Sequence, residues 1–169
     1  MAKTSYALAL GSNRPHGRFG APASVLEAAL RVLGSEGLDV GPVSAIRATP
    51  ALGPAGRGFA NAAAIVATDL EPEALLACLK EVERAFGRRG GRRWGPRVLD
   101  LDIVLWSEGP YEGGGLLIPH PEYRVRPFVL QPLAEIAPAW RDPLSGRTVR
   151  QLLARLERRR AVDRGSAGS

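Results

Sequence analysis

From Val98 to Leu105 the chain reads Val-Leu-Asp-Leu-Asp-Ile-Val-Leu. So apolar a run, rich in branched residues and too short for a buried helix, is a β-strand. The strand period of two sets Asp100 and Asp102 on one face and Leu99, Leu101, Ile103 and Leu105 on the other. The two carboxylates then stand about 6–7 Å apart along the strand. The surrounding hydrophobicity predicts a central strand, where two anions need a counter-charge. A hard divalent cation meets that need, because Mg²⁺ takes oxygen ligands and shares them with substrate phosphates. The same spacing also fits two surface aspartates, so the flanking residues have to decide.

Immediately upstream lies Arg92-Arg93-Trp94-Gly95-Pro96-Arg97. Guanidinium forks match phosphate oxygens, and glycines permit close backbone approach. Residues 84–97 carry six arginines and no acid, and residues 147–164 carry seven arginines against Glu157 and Asp163. The rest of the chain is net negative, although the whole is +6. Two basic patches on a mildly acidic body indicate a local polyanion site and not a general nucleic-acid coat. Metal-holding acids beside phosphate-holding arginines describe a nucleoside triphosphate site.

Around this centre the pattern predicts one domain. Thr4–Leu10 alternates as a strand, and Pro22 opens a helix with Leu26, Ala29, Leu30 and Leu33 on one stripe, ended by Gly34. Leu38–Arg47 reads as a strand broken at Gly41-Pro42, and Thr49–Gly58 as a loop. Phe59–Thr68 is a strand with Phe59, Asn61, Ala63 and Ile65 on one face. A helix from Pro72 buries Leu75, Cys78, Leu79, Val82 and Phe86, which makes Cys78 a packing residue. A short helix or turn follows a glycine-rich turn over 126–136. An amphipathic helix spans 148–160, and residues 162–169 form a disordered tail after a single domain of residues 1–161. The order strand, helix, strand, strand, helix, strand is that of a ferredoxin-like split βαβ fold, an α/β (α+β) class with a mainly antiparallel sheet flanked by helices.

With 169 residues, 45% of them hydrophobic, the chain can build a core unaided, and its single cysteine excludes an internal disulfide. No apolar run has the length of a membrane span, and MAKTSYALALGSN is interrupted too early for a secretory signal, so a cytoplasmic protein is expected.

The segment RRWGPRVLDLDIV, ending at Val104, resembles the central motif of the 6-hydroxymethyl-7,8-dihydropterin pyrophosphokinase family of folate biosynthesis. YALALGSN, ATPALGP, FANAAAIV and IPHPEYRVRPFVLQPLAEIAP resemble further family segments in the same order. The resemblance implies ATP as co-substrate, two Mg²⁺ ions, and transfer of the β,γ-diphosphate to the pterin hydroxymethyl group with release of AMP. It implies that Asp100 and Asp102 bind both metals. Arg88, Arg97, His120 and Arg126 contact the triphosphate, and Ile103 lies near the adenosine. Thr49, Pro50 and Leu52 border the pterin, the Asn61 amide bonds its edge, Phe59 and Phe128 stack on its faces, and Trp94 closes over the site. A monomer is expected. The arginine loop leaves Arg88 and Arg89 as alternatives for the first phosphate ligand. At residue 121 a proline stands where some members carry an aromatic.

The residues themselves agree with that inventory. An aromatic and an amide on one strand face suit a flat heterocycle rich in donors and acceptors. Attack by a primary alcohol on phosphorus needs alignment and charge neutralisation more than covalent help. The rival reading is a ferredoxin-like nucleic-acid-binding module without catalysis. It expects several aromatics on the sheet, whereas FANAAAIV has one.

Overall fold

A computed structural model describes residues 2–13, 20–49, 58–88 and 98–167. Strand β1 (Thr4–Ser12) leads through α1 (Pro22–Ser35) to β2 (Asp39–Val43) and β3 (Arg47–Thr49). Strand β4 (Phe59–Thr68), helix α2 (Pro72–Arg88) and β5 (Asp100–Trp106) follow. The chain then forms a hairpin of β6 (Tyr111–Gly113) and β7 (Leu116–Ile118), a 3-10 turn (Tyr123–Val125), α3 (Pro127–Ile136) and α4 (Val149–Ala167).

The main sheet runs β2-β4-β1-β5, with β3 also paired to β4, and every pairing is antiparallel. Strand β4 lies between β1 and β2, splitting the β1–α1–β2 unit in the ferredoxin-like manner. Helices α1 and α2 cover one face, where Leu8, Leu10, Leu26, Leu33, Leu79, Leu101 and Ile103 are buried together. Helices α3 and α4 cover the other, over Ala7, Ala63, Val104, Leu105, Val129, Leu133 and Leu152. The result is three layers, helix–sheet–helix.

Several local expectations change. Strand β5 ends the sheet and is not central. Its hydrophobicity survives at that edge because other groups satisfy its backbone. The Leu101 N–H donates to Glu83 Oε2 of α2 at 2.7 Å, and the His120 N–H donates to the Val104 carbonyl at 3.0 Å. Leu105 does not share the face of Leu99. A bulge lets Ala7 pair Leu105 while Leu8 pairs Ile103, so Val104 is the extra residue and Leu105 joins the α3–α4 side. Gly34 lies inside α1, not at its end. The stop is Gly37 at φ 93, with the Leu38 N–H returning to Leu33 O and the Gly37 N–H to Gly34 O. Finally, α4 continues to Ala167, past the predicted start of a tail at Val162; residues 161–165 are helical yet exposed, so the extension is not held by the core.

Candidate active site

The site grows from cross-strand registry. Gly11 of β1 faces Asp100 of β5 on one side and Asn61 of β4 on the other, and Asn61 faces Arg47 of β3. Directly paired residues share a face, so Asp100, Gly11, Asn61 and Arg47 form a row across the sheet. The adjacent row on that face is Asp102, Ala9 and Ala63. This is the α3–α4 side, since Ala63 and Val104 are buried there. Small residues at Gly11 and Ala9 make a low floor between the aspartates and the amide, while Ala63 is covered by the α3–α4 core. A Cβ added at Gly11 would come 3.3 Å from Asn61 Oδ1.

Asp100 is exposed, whereas Asp102 is half-buried in a depression with Ala9, Val104, His120, Tyr123, Arg126 and Val129. Residues 120–126, around the 3-10 turn, thus bring His120 and Arg126 to the same place as Asp102. Burial lowers the His120 pKa; Asp102 pulls it upward, Arg126 lowers it further and Glu122 pulls upward. The ring is therefore neutral near pH 7. Its Nδ1 accepts the Glu122 N–H at 3.2 Å, which leaves the proton on Nε2 as a donor. Arg126 ion-pairs with Glu122 and lies 5.8 Å above the Phe128 ring.

Phe59 and Phe128 are 51% and 48% exposed, so neither is a core residue. Asn61 is half-buried on the same strand face as Phe59, as the alternation predicts. The Ile103 side chain, at 2% exposure, packs in the α1–α2 core, opposite Asp102. Its expected place near a nucleotide can only involve its backbone, because its side chain faces the wrong side of the sheet. Arg88 and Thr49 are placed by their backbones alone, at the end of α2 and in β3. Pro50, Leu52, Trp94 and Arg97 lie outside the described residues.

Two acidic groups escaped the sequence. Glu83 has only 9% of its side chain exposed and binds the peptide N–H between the two aspartates, with Lys80 Nζ at 3.3 Å. An acid on the buried stripe of α2, four residues after Leu79 and three before Phe86, is the signal that could have found it. Asp142 is fully buried. Burial alone would raise its pKa, but hydrogen bonds from Arg124, Tyr123 and the Leu144 and Ser145 N–H groups outweigh it and hold the pKa at about 2.

The donor set suits a hard cation. Two carboxylates share a strand face, and the neighbouring position at Gly11 carries no side chain to compete with a bound ion. Among the described residues, none forms a cluster of three or more His, Cys, Asp or Glu ligands, so most of a metal's shell would come from elsewhere. Mg²⁺ accepts that arrangement, with water and phosphate oxygens completing its octahedron. Neutral His120 and cationic Arg126 carry N–H groups of the kind that phosphate oxygens accept.

Comparison with known proteins places the chain in a family. Residues 7–138 match the family model of 7,8-dihydro-6-hydroxymethylpterin-pyrophosphokinase (HPPK). The chain is 40% identical over 152 residues to the 2-amino-4-hydroxy-6-hydroxymethyldihydropteridine pyrophosphokinase of Methylorubrum extorquens, covering 89% of this chain and 92% of that one. It is 41% identical over 121 residues to the Synechocystis protein of the same name, covering 72% of this chain and 62% of that one. The fold also matches a crystal structure of wild-type Plasmodium falciparum HPPK-DHPS with pteroate (TM-score 0.68, 13% identity), over 90% of this chain and 44% of that one. No helix among the described residues is long and apolar enough to cross a membrane. With its carboxylate strand, its open sheet face and a match across most of its length, the chain belongs to the 7,8-dihydro-6-hydroxymethylpterin-pyrophosphokinase family of folate-synthesis enzymes.

Proposed function

We propose that this chain transfers the β,γ-diphosphate of ATP to the hydroxymethyl oxygen of 6-hydroxymethyl-7,8-dihydropterin at the open end of the sheet's α3–α4 face. The observation that carries the reading is the gathering of Asp102, His120 and Arg126 in one depression, with Asp100, Gly11 and Asn61 in the adjoining row. Acids for cations, donors for phosphate and an amide for a heterocycle thereby share one face.

Asp100 and Asp102 are the residues that would hold two Mg²⁺ ions. When bound, such ions neutralise phosphate charge and draw the nucleophile and the phosphorus together. His120 donates from Nε2, and Arg126 exchanges its Glu122 partner for a phosphate oxygen. Asn61 orients the pterin edge, and the half-exposed rings of Phe59 and Phe128 supply stacking surfaces. The hydroxymethyl oxygen attacks the β-phosphorus, the bond from that phosphorus to the α,β-bridging oxygen breaks, and AMP leaves. The hydroxyl proton passes to solvent, and no covalent intermediate on the protein is needed.

The resemblance supports the remaining roles: Arg88 and Arg97 on phosphate oxygens, Trp94 over the site, and Thr49, Pro50 and Leu52 beside the pterin. Residues 1–161 act as a single catalytic domain, a cytoplasmic monomer acting on small molecules. The test mixes protein, Mg-ATP and the hydroxymethylpterin. AMP that appears only when pterin is present is the expected product. Cleavage to ADP, or tight RNA binding without turnover, overturns the reading.

A further inference from the structure

We propose that Asp142, beyond the family-matched residues 7–138, is a positioning residue that holds the His120–Arg126 turn in its nucleotide-binding shape; this rests on the phosphate-binding roles given above to His120 and Arg126.

The connection is a short chain of bonds. Tyr123 is fully buried and lines the depression with Asp102, His120 and Arg126. Its backbone grips both proposed phosphate ligands. The Tyr123 N–H donates to the His120 carbonyl at 3.4 Å, and the Tyr123 carbonyl accepts the Arg126 N–H at 3.3 Å. Its phenol donates to Asp142 Oδ2 at 2.7 Å, and Arg124 Nε donates to the same oxygen. Asp142 Oδ1 accepts the Leu144 and Ser145 N–H groups at 2.8 and 3.3 Å. Its own N–H donates to the Arg147 carbonyl at 2.8 Å, which seats the segment before α4. One buried anion with four donors therefore ties the turn to the loop ahead of the last helix. The Arg124 guanidinium lies 4.9 Å over the Tyr123 ring, which closes the same cluster. A buried carboxylate satisfied this fully resists displacement, because any lost donor leaves charge unpaired in a dry interior. Rigidity of that kind suits a turn whose two ends must meet one triphosphate.

Tyr123→Phe removes a single hydroxyl and keeps the ring, so it tests the tether even where Asp142→Asn fails to fold. Calorimetry with Mg²⁺ and α,β-methylene ATP reads the nucleotide, and the KM for pterin at saturating ATP reads the other substrate. Tyr123→Phe and Asp142→Asn should each weaken nucleotide binding about tenfold and leave the pterin KM within about twofold. In an Arg126→Ala background the Tyr123→Phe loss should shrink below about threefold, because the tether then has less to position. Equal losses for both substrates, an undiminished loss in that background, or no loss at all overturns the proposal. If Arg126→Ala itself leaves nucleotide affinity intact, the phosphate-binding reading falls and the proposal with it. A weakened Arg126→Ala beside an unaffected Tyr123→Phe removes the proposal alone.

Discussion

The two faces of the sheet are built to different ends. Under α1 and α2 the side chains are large and interlocked, with Leu8, Leu26, Leu33, Leu75, Leu79 and Leu101 all below 2% exposure. Under α3 and α4 the sheet contributes Val104 and Leu105 at one end and the smaller Ala7, Ala9 and Ala63 beside them, and the other end is left with Asp100, Gly11, Asn61 and Phe59. The first face is a sealed core, in which a missing methylene is felt as stability. The second is shallow and only partly covered, and its polar row has no core to join. Strand β5 belongs to both, since Leu101 and Ile103 anchor it from one side while Asp100 and Asp102 present oxygens on the other. That shared strand explains how the acids can be exposed to ligands and still be held rigidly.

Substitutions on the two faces of β5 and its neighbours should therefore separate catalysis from stability. Asp102→Asn keeps the shape and removes the charge, so kcat should fall about a thousandfold or more while the thermal midpoint hardly moves. Asp100→Asn should act in the same direction. Near-normal turnover in both would show that this face is not the catalytic one. Leu79→Ala, on the sealed side, should show the reverse. A fully buried leucine truncated in a packed core costs about 2–5 kcal/mol, which at this chain length lowers Tm by roughly 10 °C. The folded fraction should keep its kcat within about twofold, and a larger drop would mean that the two faces are not energetically separate.

The sequence makes some of this visible and hides the rest for identifiable reasons. Strand β4 is found where predicted, Phe59–Thr68, because its apolar run is unbroken by Gly or Pro and its ends are marked by Gly58 and by the turn before Pro72. The pairing of Asp100 with Asp102 on one face follows from the strand period alone. Leu105 leaves the face of Leu99 because the bulge depends on how β1 pairs, which β5's own residues do not encode. The edge position of β5 is hidden in the sequence for a related reason. Hydrophobicity reports burial, and β5 is packed on both faces while Glu83 and the His120 N–H bond two groups on its free edge. The β6–β7 hairpin has three-residue strands, too short for any period to register, and only its Gly114-Gly115 turn, at φ 58 and 78, was legible. Asp142 sits in Asp-Pro-Leu-Ser-Gly, which reads as an ordinary surface turn. Its burial depends on Tyr123 and Arg124, nearly twenty residues earlier in the chain.

Gly11 offers the smallest change that should still be felt on one face only. It lies in β1 between Asp100 and Asn61, and its φ is not among the positive values that exclude a side chain. An alanine there meets no backbone obstacle. Replacing glycine within a strand also reduces the freedom of the unfolded chain, which favours the variant by up to about 1 kcal/mol. The new Cβ would, however, come 3.3 Å from Asn61 Oδ1, tighter than an ordinary contact. The amide must turn or shift by a few tenths of an ångström, and with it the alignment proposed for its hydrogen bonds to the pterin edge. Gly11→Ala should therefore raise the pterin KM by about tenfold, leave the ATP KM within about twofold, and keep Tm unchanged or slightly higher. A change in ATP KM with none for pterin would place the heterocycle away from Asn61, and an unfolded variant would show that the floor of the site belongs to the core after all.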